Sequence, residues 1–149
     1  MGGRNNLLDR TAIYLIANSI AGLSVDFLKA KTGKLRPSGS DRRSFPSGHT
    51  ATAFVAAEFM RQEFNGISPW YGNIGYTMAG ATGALRMMNN KHWLSDVLAG
   101  AGVGVLSTKF TYFAYPWIKR KIIKNNGLDF IAVPIVQKGS LGFSAVMPL

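Results

Sequence analysis

The sequence predicts an all-α fold, a compact bundle of about five or six helices with an extended or small hairpin C-terminal tail. Apolar residues recur at helical spacing through most of the first 125 residues. One long polar segment, 32–48, interrupts them and is rich in Gly, Pro, Ser and basic residues. After this helical part the pattern alternates around Lys138 and Gly139. We therefore predict one helical domain at 1–125, with 126–149 as its tail.

The helices follow from local pattern and from the residues that break it. The first is predicted at 8–30, which is apolar at helical spacing and contains no proline. The second begins at Thr50 and ends before "NGIS", and the third is the glycine-rich segment after the next proline. A fourth begins at His92, and the basic run "PWIKRKIIKNNG" closes the helical part. Gly100 and Gly104, four residues apart, would let a neighbouring backbone approach the fourth helix closely.

Composition narrows the partners to anions. The formal net charge is +10, which favours phosphates, acidic lipid surfaces or nucleic acid. The chain has no cysteine, which excludes a disulfide framework. With only two histidines as well, a zinc site is not expected.

The sequence has features for and against membrane-spanning helices. The window from Phe64 to Leu85 carries no charge and is long enough to cross about 30 Å of hydrocarbon. The preceding helix carries Glu58, Arg61 and Glu63, and the mean hydropathy of the chain is only +0.09. These features predict a packed helical domain at or near a membrane rather than a full set of transmembrane spans.

Three short stretches carry the chemistry. They are "KAKTGKLRP", with Lys29, Arg36 and Pro37; "PSGH", from Pro46 to His49; and "RMMNNKHWLSD", with Arg86, His92 and Asp96. Their order and spacing resemble the K-x6-RP, PSGH and SR-x5-H-x3-D pattern of the type 2 phosphatidic acid phosphatase superfamily. That superfamily also includes bacterial class A acid phosphatases and vanadium haloperoxidases. The resemblance covers about 29–96, and the family's serine before the third-motif arginine is Leu85 here.

The spacing of His92 and Asp96 has a physical reading of its own. On a helix, residues four apart share a face, so the carboxylate could hold one ring nitrogen and leave the other as a lone pair. Such a histidine can attack phosphorus. Taken alone, the same spacing favours a surface ion pair.

The resemblance implies a role for each motif residue. His92 would be the nucleophile that becomes a phosphohistidine, Asp96 would orient it, and His49 would protonate the leaving oxygen. The phosphate oxygens would be held by a set of cations and polar groups: Lys29, Arg36, Ser47, Gly48 and Arg86. No metal or other cofactor is then required. The remaining charges of the polar segment either attract anionic substrates or are simply solvated; they are Lys31, Lys34, Arg42 and Arg43.

The resemblance implies a phosphatase acting on lipid phosphates or pyrophosphates at the outer face of a bacterial inner membrane. The expected location is the inner membrane or periplasm, with the active site on the periplasmic side. The partner would be a lipid phosphate or another phosphorylated small molecule, with membrane association and no nucleic acid. The alternatives are a soluble, broad acid phosphatase, a vanadate-dependent haloperoxidase and a non-enzymatic basic binding protein. The sequence leaves the exact substrate and the oligomeric state open.

Overall fold

Four helices form the body of the protein. The structure, a computed structural model, describes residues 3–126, 131–137 and 140–146. The helices are α1 (Leu7–Thr32), α2 (Gly48–Phe64), α3 (Trp70–Met88) and α4 (Leu94–Asn126). Two further segments, β1 (Ile131–Gln137) and β2 (Ser140–Val146), pair as antiparallel strands. The predicted turn at Lys138 and Gly139 lies outside the described residues.

Local caps define where the first helices begin and end. Asn6 caps α1 by accepting a hydrogen bond from the backbone N–H of Asp9 at 2.8 Å. Gly33 ends this helix in the left-handed conformation, with φ of 51°. The side chain of Ser47 caps α2. The helix therefore begins at Gly48, inside the polar segment that separates it from α1.

The predicted count of five or six helices is not confirmed, because the described part of the chain has four. The fourth predicted helix stops at Tyr115, before the basic run "PWIKRKIIKNNG", but α4 continues through Pro116 to Asn126. Proline removes one backbone hydrogen bond from a helix interior. Here Tyr115 and Lys119, on either side of that proline, both bind the carboxylate of Asp9 on α1, at 2.7 and 2.7–2.8 Å. These tertiary contacts hold the two halves of α4 against the same neighbour.

Successive helices run in opposite directions. At one end, Asn5 binds the carboxylate of Glu63, so the beginning of α1 lies beside the end of α2. Asp9 and Lys119 likewise join the beginning of α1 to the end of α4. The other end therefore collects the last turns of α1 and α3 and the first turns of α2 and α4. We call it the motif end, because all three sequence motifs lie there.

The close contact predicted at the two glycines is confirmed. A Cβ atom at Gly100 would lie 2.4 Å from the carbonyl oxygen of Ser47, and one at Gly104 would lie 2.3 Å from that of Ala51. Real side chains cannot approach that closely, so only glycine lets the first turns of α2 lie directly on α4. This contact fixes the PSGH stretch against the helix that follows His92.

Large apolar side chains cover the outside of α3 and α4. On α4 they recur at intervals of three, four or eight residues, and more than half of each is exposed: Leu94, Leu98, Leu106, Phe110, Phe113 and Trp117. Two helical segments, Leu7–Thr32 and Leu94–Lys121, are long and apolar enough to cross a membrane. Only 28% and 39% of their most apolar windows are buried, unlike the core helix of a soluble protein. The uncharged window Phe64–Leu85 is not one span, because α2 ends at Phe64 and α3 begins at Trp70.

Candidate active site

Six of the eight predicted site residues line one cavity at the motif end. The cavity has a volume of about 580 Å³ and is walled by α1, α2, α3 and the segments that join them. The six residues are Lys29, Arg36, Gly48, His49, Arg86 and His92. The other two, Ser47 and Asp96, are fully buried. Residues that are up to 63 positions apart in the chain thus meet in one place.

His92 is held as a nucleophile would be. Its Nδ1 lies 2.7 Å from the backbone carbonyl oxygen of Ser44, which can only accept a hydrogen bond. The ring proton must therefore be on Nδ1, and Nε2 keeps a free lone pair. Burial lowers the pKa of His92 to about 4. The Ser44 hydrogen bond acts against this shift, while the positive charges of Lys29, Arg36 and Arg86 add to it. The imidazole is therefore neutral at physiological pH.

The direct bond expected between His92 and Asp96 is not made. His92 lies before the first residue of α4, Leu94, so the pair is not four apart on a helix. The nearest carboxylate oxygen of Asp96 is 3.8 Å from His92 Nδ1. That oxygen instead accepts hydrogen bonds from the Ser44 hydroxyl and, at 2.9 Å, from the Trp93 backbone N–H. Asp96 caps α4 and orients Ser44, and the Ser44 carbonyl orients His92.

Three cations face the cavity from three different elements. Lys29 Nζ donates to the carbonyl oxygen of Arg43 at 2.7 Å. Arg36 Nε is held by Asp41 at 2.8 Å. Arg86 Nε is buried, yet it has no hydrogen-bond partner among the described residues. A buried guanidinium nitrogen without a partner is costly, and an anion in the cavity would satisfy it.

His49 lines the same cavity as His92 and lies in the first turn of α2. Partial burial lowers its pKa. The positive charges of Arg86, Lys29 and Arg36 lower that pKa further. His49 therefore holds its proton weakly when no negative charge opposes these cations. A negative charge in the cavity would oppose the three cations and raise its proton affinity.

The last two predicted site residues, Ser47 and Gly48, differ in their position relative to the cavity. The Ser47 hydroxyl accepts hydrogen bonds from the Thr50 hydroxyl at 2.8 Å and from the Thr50 backbone N–H at 3.4 Å. It therefore serves α2 as a cap. Gly48 lines the cavity at the N-terminus of the same helix, where backbone N–H groups favour an anion. The predicted phosphate contact is thus available to Gly48, while Ser47 lies behind it.

Sequence reasoning missed several contributors. Ser44 lies within "RSFPSGHT", but no sequence pattern predicts that its carbonyl oxygen accepts a hydrogen bond from His92. Lys34 looked like one of several loop charges, yet its Nζ lies 2.6 Å from Asp96. The rest of the cavity lining comes from α1, α2 and α3 and is mostly small or apolar, with one carboxylate, that of Asp26. The other residues are Ala21, Gly22, Val25, Ala51, Thr52, Ala53 and Thr82.

Comparisons with known proteins agree with this geometry. The family model of the PAP2 superfamily matches residues 10–120. Lipid A 1-phosphatase from Porphyromonas gingivalis is 45% identical over 107 residues, which make up 72% of this chain and 23% of that protein. The chain thus spans about a quarter of that relative's length. The crystal structure of Aquifex aeolicus LpxE matches with a TM-score of 0.65 at 24% identity, over 71% of this chain and 68% of that chain. From the family match, which covers most of the chain and contains all three motifs, we conclude that the chain belongs to the PAP2 superfamily.

Proposed function

We propose that this chain is a metal-independent phosphatase that hydrolyses lipid phosphates through a phosphohistidine on His92. The observation that carries the proposal is that two histidines in different environments line one cationic cavity. His92 Nδ1 is committed to the Ser44 carbonyl, so Nε2 is free to attack. His49 lines the same cavity beside Lys29, Arg36 and Arg86.

The first step transfers the phosphoryl group. The lone pair of His92 Nε2 attacks phosphorus, and the bond from phosphorus to the leaving oxygen breaks. His49 gives its proton to that oxygen, which leaves as an alcohol. Lys29, Arg36 and Arg86 face the nonbridging oxygens and stabilise the negative charge spread over them. Because three fixed cations already supply this stabilisation, the step needs no metal ion.

The second step restores the enzyme. His49, now neutral, accepts a proton from water while the water oxygen attacks phosphorus. The bond between phosphorus and His92 Nε2 breaks, and inorganic phosphate is released. His92 is neutral again with its proton on Nδ1. His49 is protonated for the next cycle.

The lining of the cavity supports a lipid as the leaving group. Beyond the motif residues, the cavity is lined mostly by small and apolar side chains of α1, α2 and α3, such as Ala21, Val25 and Ala53, with Asp26 as the one carboxylate. Such a surface suits hydrocarbon or an uncharged sugar rather than a second phosphate. The relative from Porphyromonas gingivalis carries the name lipid A 1-phosphatase. We therefore propose the 1-phosphate of lipid A as the first substrate to test.

The exposed apolar surface supports insertion in a membrane. We propose that α1 and the Leu94–Lys121 part of α4 cross it. Trp93 lies at the motif end and Trp117 lies toward the opposite end, separated by about 35 Å of helix. Tryptophan is enriched at the two membrane interfaces, and this separation is close to the thickness of a bilayer. The cavity would then lie at the level of the lipid headgroups.

The motif end is proposed to face the periplasm. Because the chain has no cysteine, a single Ser40→Cys variant in the motif-end loop gives a clean probe of sidedness. A membrane-impermeant maleimide should label it in spheroplasts, whereas Gly66→Cys at the opposite end should be labelled only after lysis. The reverse pattern would place the active site in the cytoplasm.

The covalent step tests the proposed function directly. Purified protein in detergent is mixed with ³²P-labelled lipid A 1-phosphate and quenched within milliseconds. Acid-labile, base-stable label should map to His92, and His92→Ala should lose both label and turnover. Lys31→Met, an exposed lysine on the last turn of α1, serves as a matched control. Label on a serine or aspartate would overturn the assignment of the nucleophile.

Metal independence has its own test. Hydrolysis should continue in excess EDTA and should be inhibited by vanadate, which adopts the five-coordinate geometry of the transition state. Activity that disappears in EDTA and returns with magnesium would contradict the proposed mechanism.

A further inference from the structure

Lys34 is not among the residues that line the cavity, and it binds the carboxylate of Asp96. Its Nζ lies 2.6 Å from Asp96 Oδ1 and 2.7 Å from the Ser95 hydroxyl. Asp96 is fully buried, and the side chain of Lys34 is 35% exposed. Lys34 stands between the Lys and Arg of the first motif, at a position that the motif leaves unspecified. Its charge is therefore used differently from those of Lys29 and Arg36.

The Asp96 carboxylate is divided between its partners. Oδ1 accepts from Lys34, while Oδ2 accepts from the Ser44 hydroxyl and the Trp93 backbone N–H. With both oxygens engaged, the carboxylate stays 3.8 Å from His92 Nδ1. The ring N–H is left to the Ser44 carbonyl at 2.7 Å.

Lys34 and Ser44 are also joined through their backbones. The Ser44 N–H donates to the Lys34 carbonyl oxygen at 2.9 Å. One end of the polar segment is therefore tied to the other, and both are tied to the first turn of α4 through Asp96. Movement of either residue would move the carbonyl that receives the His92 proton.

We propose that Lys34 is a positioning residue for the nucleophile: by balancing the charge of Asp96, it lets the Ser44 carbonyl rather than the carboxylate hold His92 Nδ1. The proposal rests on the proposed function, in which His92 attacks phosphorus. A neutral carbonyl holds the ring proton without drawing a second proton to Nε2. An uncompensated carboxylate at the same distance would stabilise the imidazolium, which has no lone pair for attack.

The charges around His92 give the direction of the expected effect. Lys29 from α1, Arg36 from the polar segment and Arg86 from α3 all disfavour the imidazolium. His49 from α2 lines the same cavity, and Asp96 from α4 is the nearest negative charge. Removing Lys34 leaves that negative charge unopposed, so His92 should bind a proton at higher pH. Because activity requires neutral His92, the acid limb of the pH–activity profile should then shift to higher pH.

The experiment compares Lys34→Met with the control Lys31→Met, whose ammonium lies over the Phe27 ring rather than beside a carboxylate. The first readout is the pKa of His92 from NMR of histidine-labelled protein in detergent; only two histidines must be assigned. The second is the acid limb of kcat/KM for lipid A 1-phosphate. Both should rise by about one pH unit in Lys34→Met. They should be unchanged in Lys31→Met and largely restored in Lys34→Arg.

A second variant keeps the test decisive if Lys34→Met does not fold. Ser44→Ala retains the carbonyl but removes the hydroxyl that holds Asp96 Oδ2, so the carboxylate can turn toward His92. It should raise the pKa of His92 by a smaller amount. Unchanged His92 titration in both variants would overturn the inference.

The test of the Lys34 inference can be distinguished from the test of the proposed function. The NMR titration measures His92 whether or not the protein hydrolyses the substrate, whereas His92→Ala tests catalysis. An active His92→Ala variant would end the phosphohistidine mechanism. If His92→Ala is inactive and the pKa of His92 is the same in Lys34→Met as in Lys31→Met, the inference about Lys34 is overturned and the proposed function is not.

Discussion

In the proposed mechanism His49 must carry a proton to assist the leaving group, yet its surroundings in the cavity disfavour that proton. Partial burial lowers the pKa of His49, and Arg86, Lys29 and Arg36 lower it further. The same three cations are the groups that would bind the phosphate. A bound dianion cancels much of their effect on the imidazole, so substrate binding and protonation of His49 should be coupled.

We expect an anion to raise the pKa of His49 by about one unit. Sulfate is the probe, because it stays a dianion throughout the titration of histidine and contributes no proton of its own. The His49 NMR signal is followed against pH with and without sulfate, with chloride at equal ionic strength as the control. His49→Gln identifies the signal. Identical titration curves in the two salts would mean that the acid is already charged, or is another group.

The acid role of His49 also predicts a dependence on the leaving group. A lipid alkoxide leaves poorly without a proton, so His49→Ala should slow phosphoenzyme formation on a lipid phosphate by on the order of 10²–10⁴. A nitrophenolate leaves readily, so the loss on the aryl ester should be much smaller. The measurement is the single-turnover rate of phosphorylation for both substrates, because steady-state rates also include the water step. Equal losses would mean that His49 only positions phosphate.

At the scale of elements, the active site depends on how closely α2 lies on α4. The first turn of α2 carries Gly48 and His49, and Gly100 on α4 lies against the Ser47 carbonyl. An added methyl group there must push the two helices apart. Displacement of this turn moves His49 relative to His92, which precedes α4.

Gly100→Ala should therefore impair both stability and activity. We expect a loss of about 1–3 kcal/mol, typical of overpacking, and a fall in kcat. Gly102→Ala is the matched control, because a Cβ atom at that position meets nothing within 4 Å. It should be neutral or slightly stabilising, since alanine favours a helix. Thermal unfolding and turnover in the same detergent measure both effects. Equal behaviour of the two variants would contradict the close-packing argument.

The elements were predictable where the sequence carries a local signal. The first helix was predicted at 8–30 and is found at Leu7–Thr32, because an apolar repeat without proline ends at a left-handed glycine. The length of α4 was not predictable. Pro116 is a local stop signal, and it is overridden by contacts of Tyr115 and Lys119 with Asp9, more than 100 residues away. A single sequence does not reveal such a pairing.

The site was predictable in its parts but not in all its connections. The eight motif residues were identified from their resemblance to the family's motifs, and six of them line one cavity. The link from Asp96 through Ser44 to His92 was not, because it uses a backbone carbonyl. Any residue type can supply a carbonyl, so the sequence leaves no trace of it. The pairing of Lys34 with Asp96 was not predicted for a different reason: it joins two side chains that are 62 positions apart in the chain.

The whole molecule separates polar chemistry at its motif end from an apolar outer surface. Exposed apolar side chains lie on several helices, including Phe27 on α1, Met78 on α3 and Leu106 on α4. In a soluble phosphatase this surface would lie in water, where contiguous apolar patches promote association. In a bilayer it would face hydrocarbon, while the cationic cavity lies at the headgroups. The two environments make opposite predictions for a charge placed on that surface.

Leu106 offers the sharpest test, because it is 68% exposed and lies near the middle of the Leu94–Lys121 segment. A lysine at the centre of a membrane span costs about 2.5–3.5 kcal/mol of insertion free energy. Leu106→Lys should therefore float poorly with lipid vesicles and resist carbonate extraction less than wild type. Leu106→Phe, which keeps the surface apolar, and Ser40→Lys, which adds the same charge in the motif-end loop, should behave like wild type. A Leu106→Lys protein that purifies without detergent and retains full activity would instead favour the soluble phosphatase.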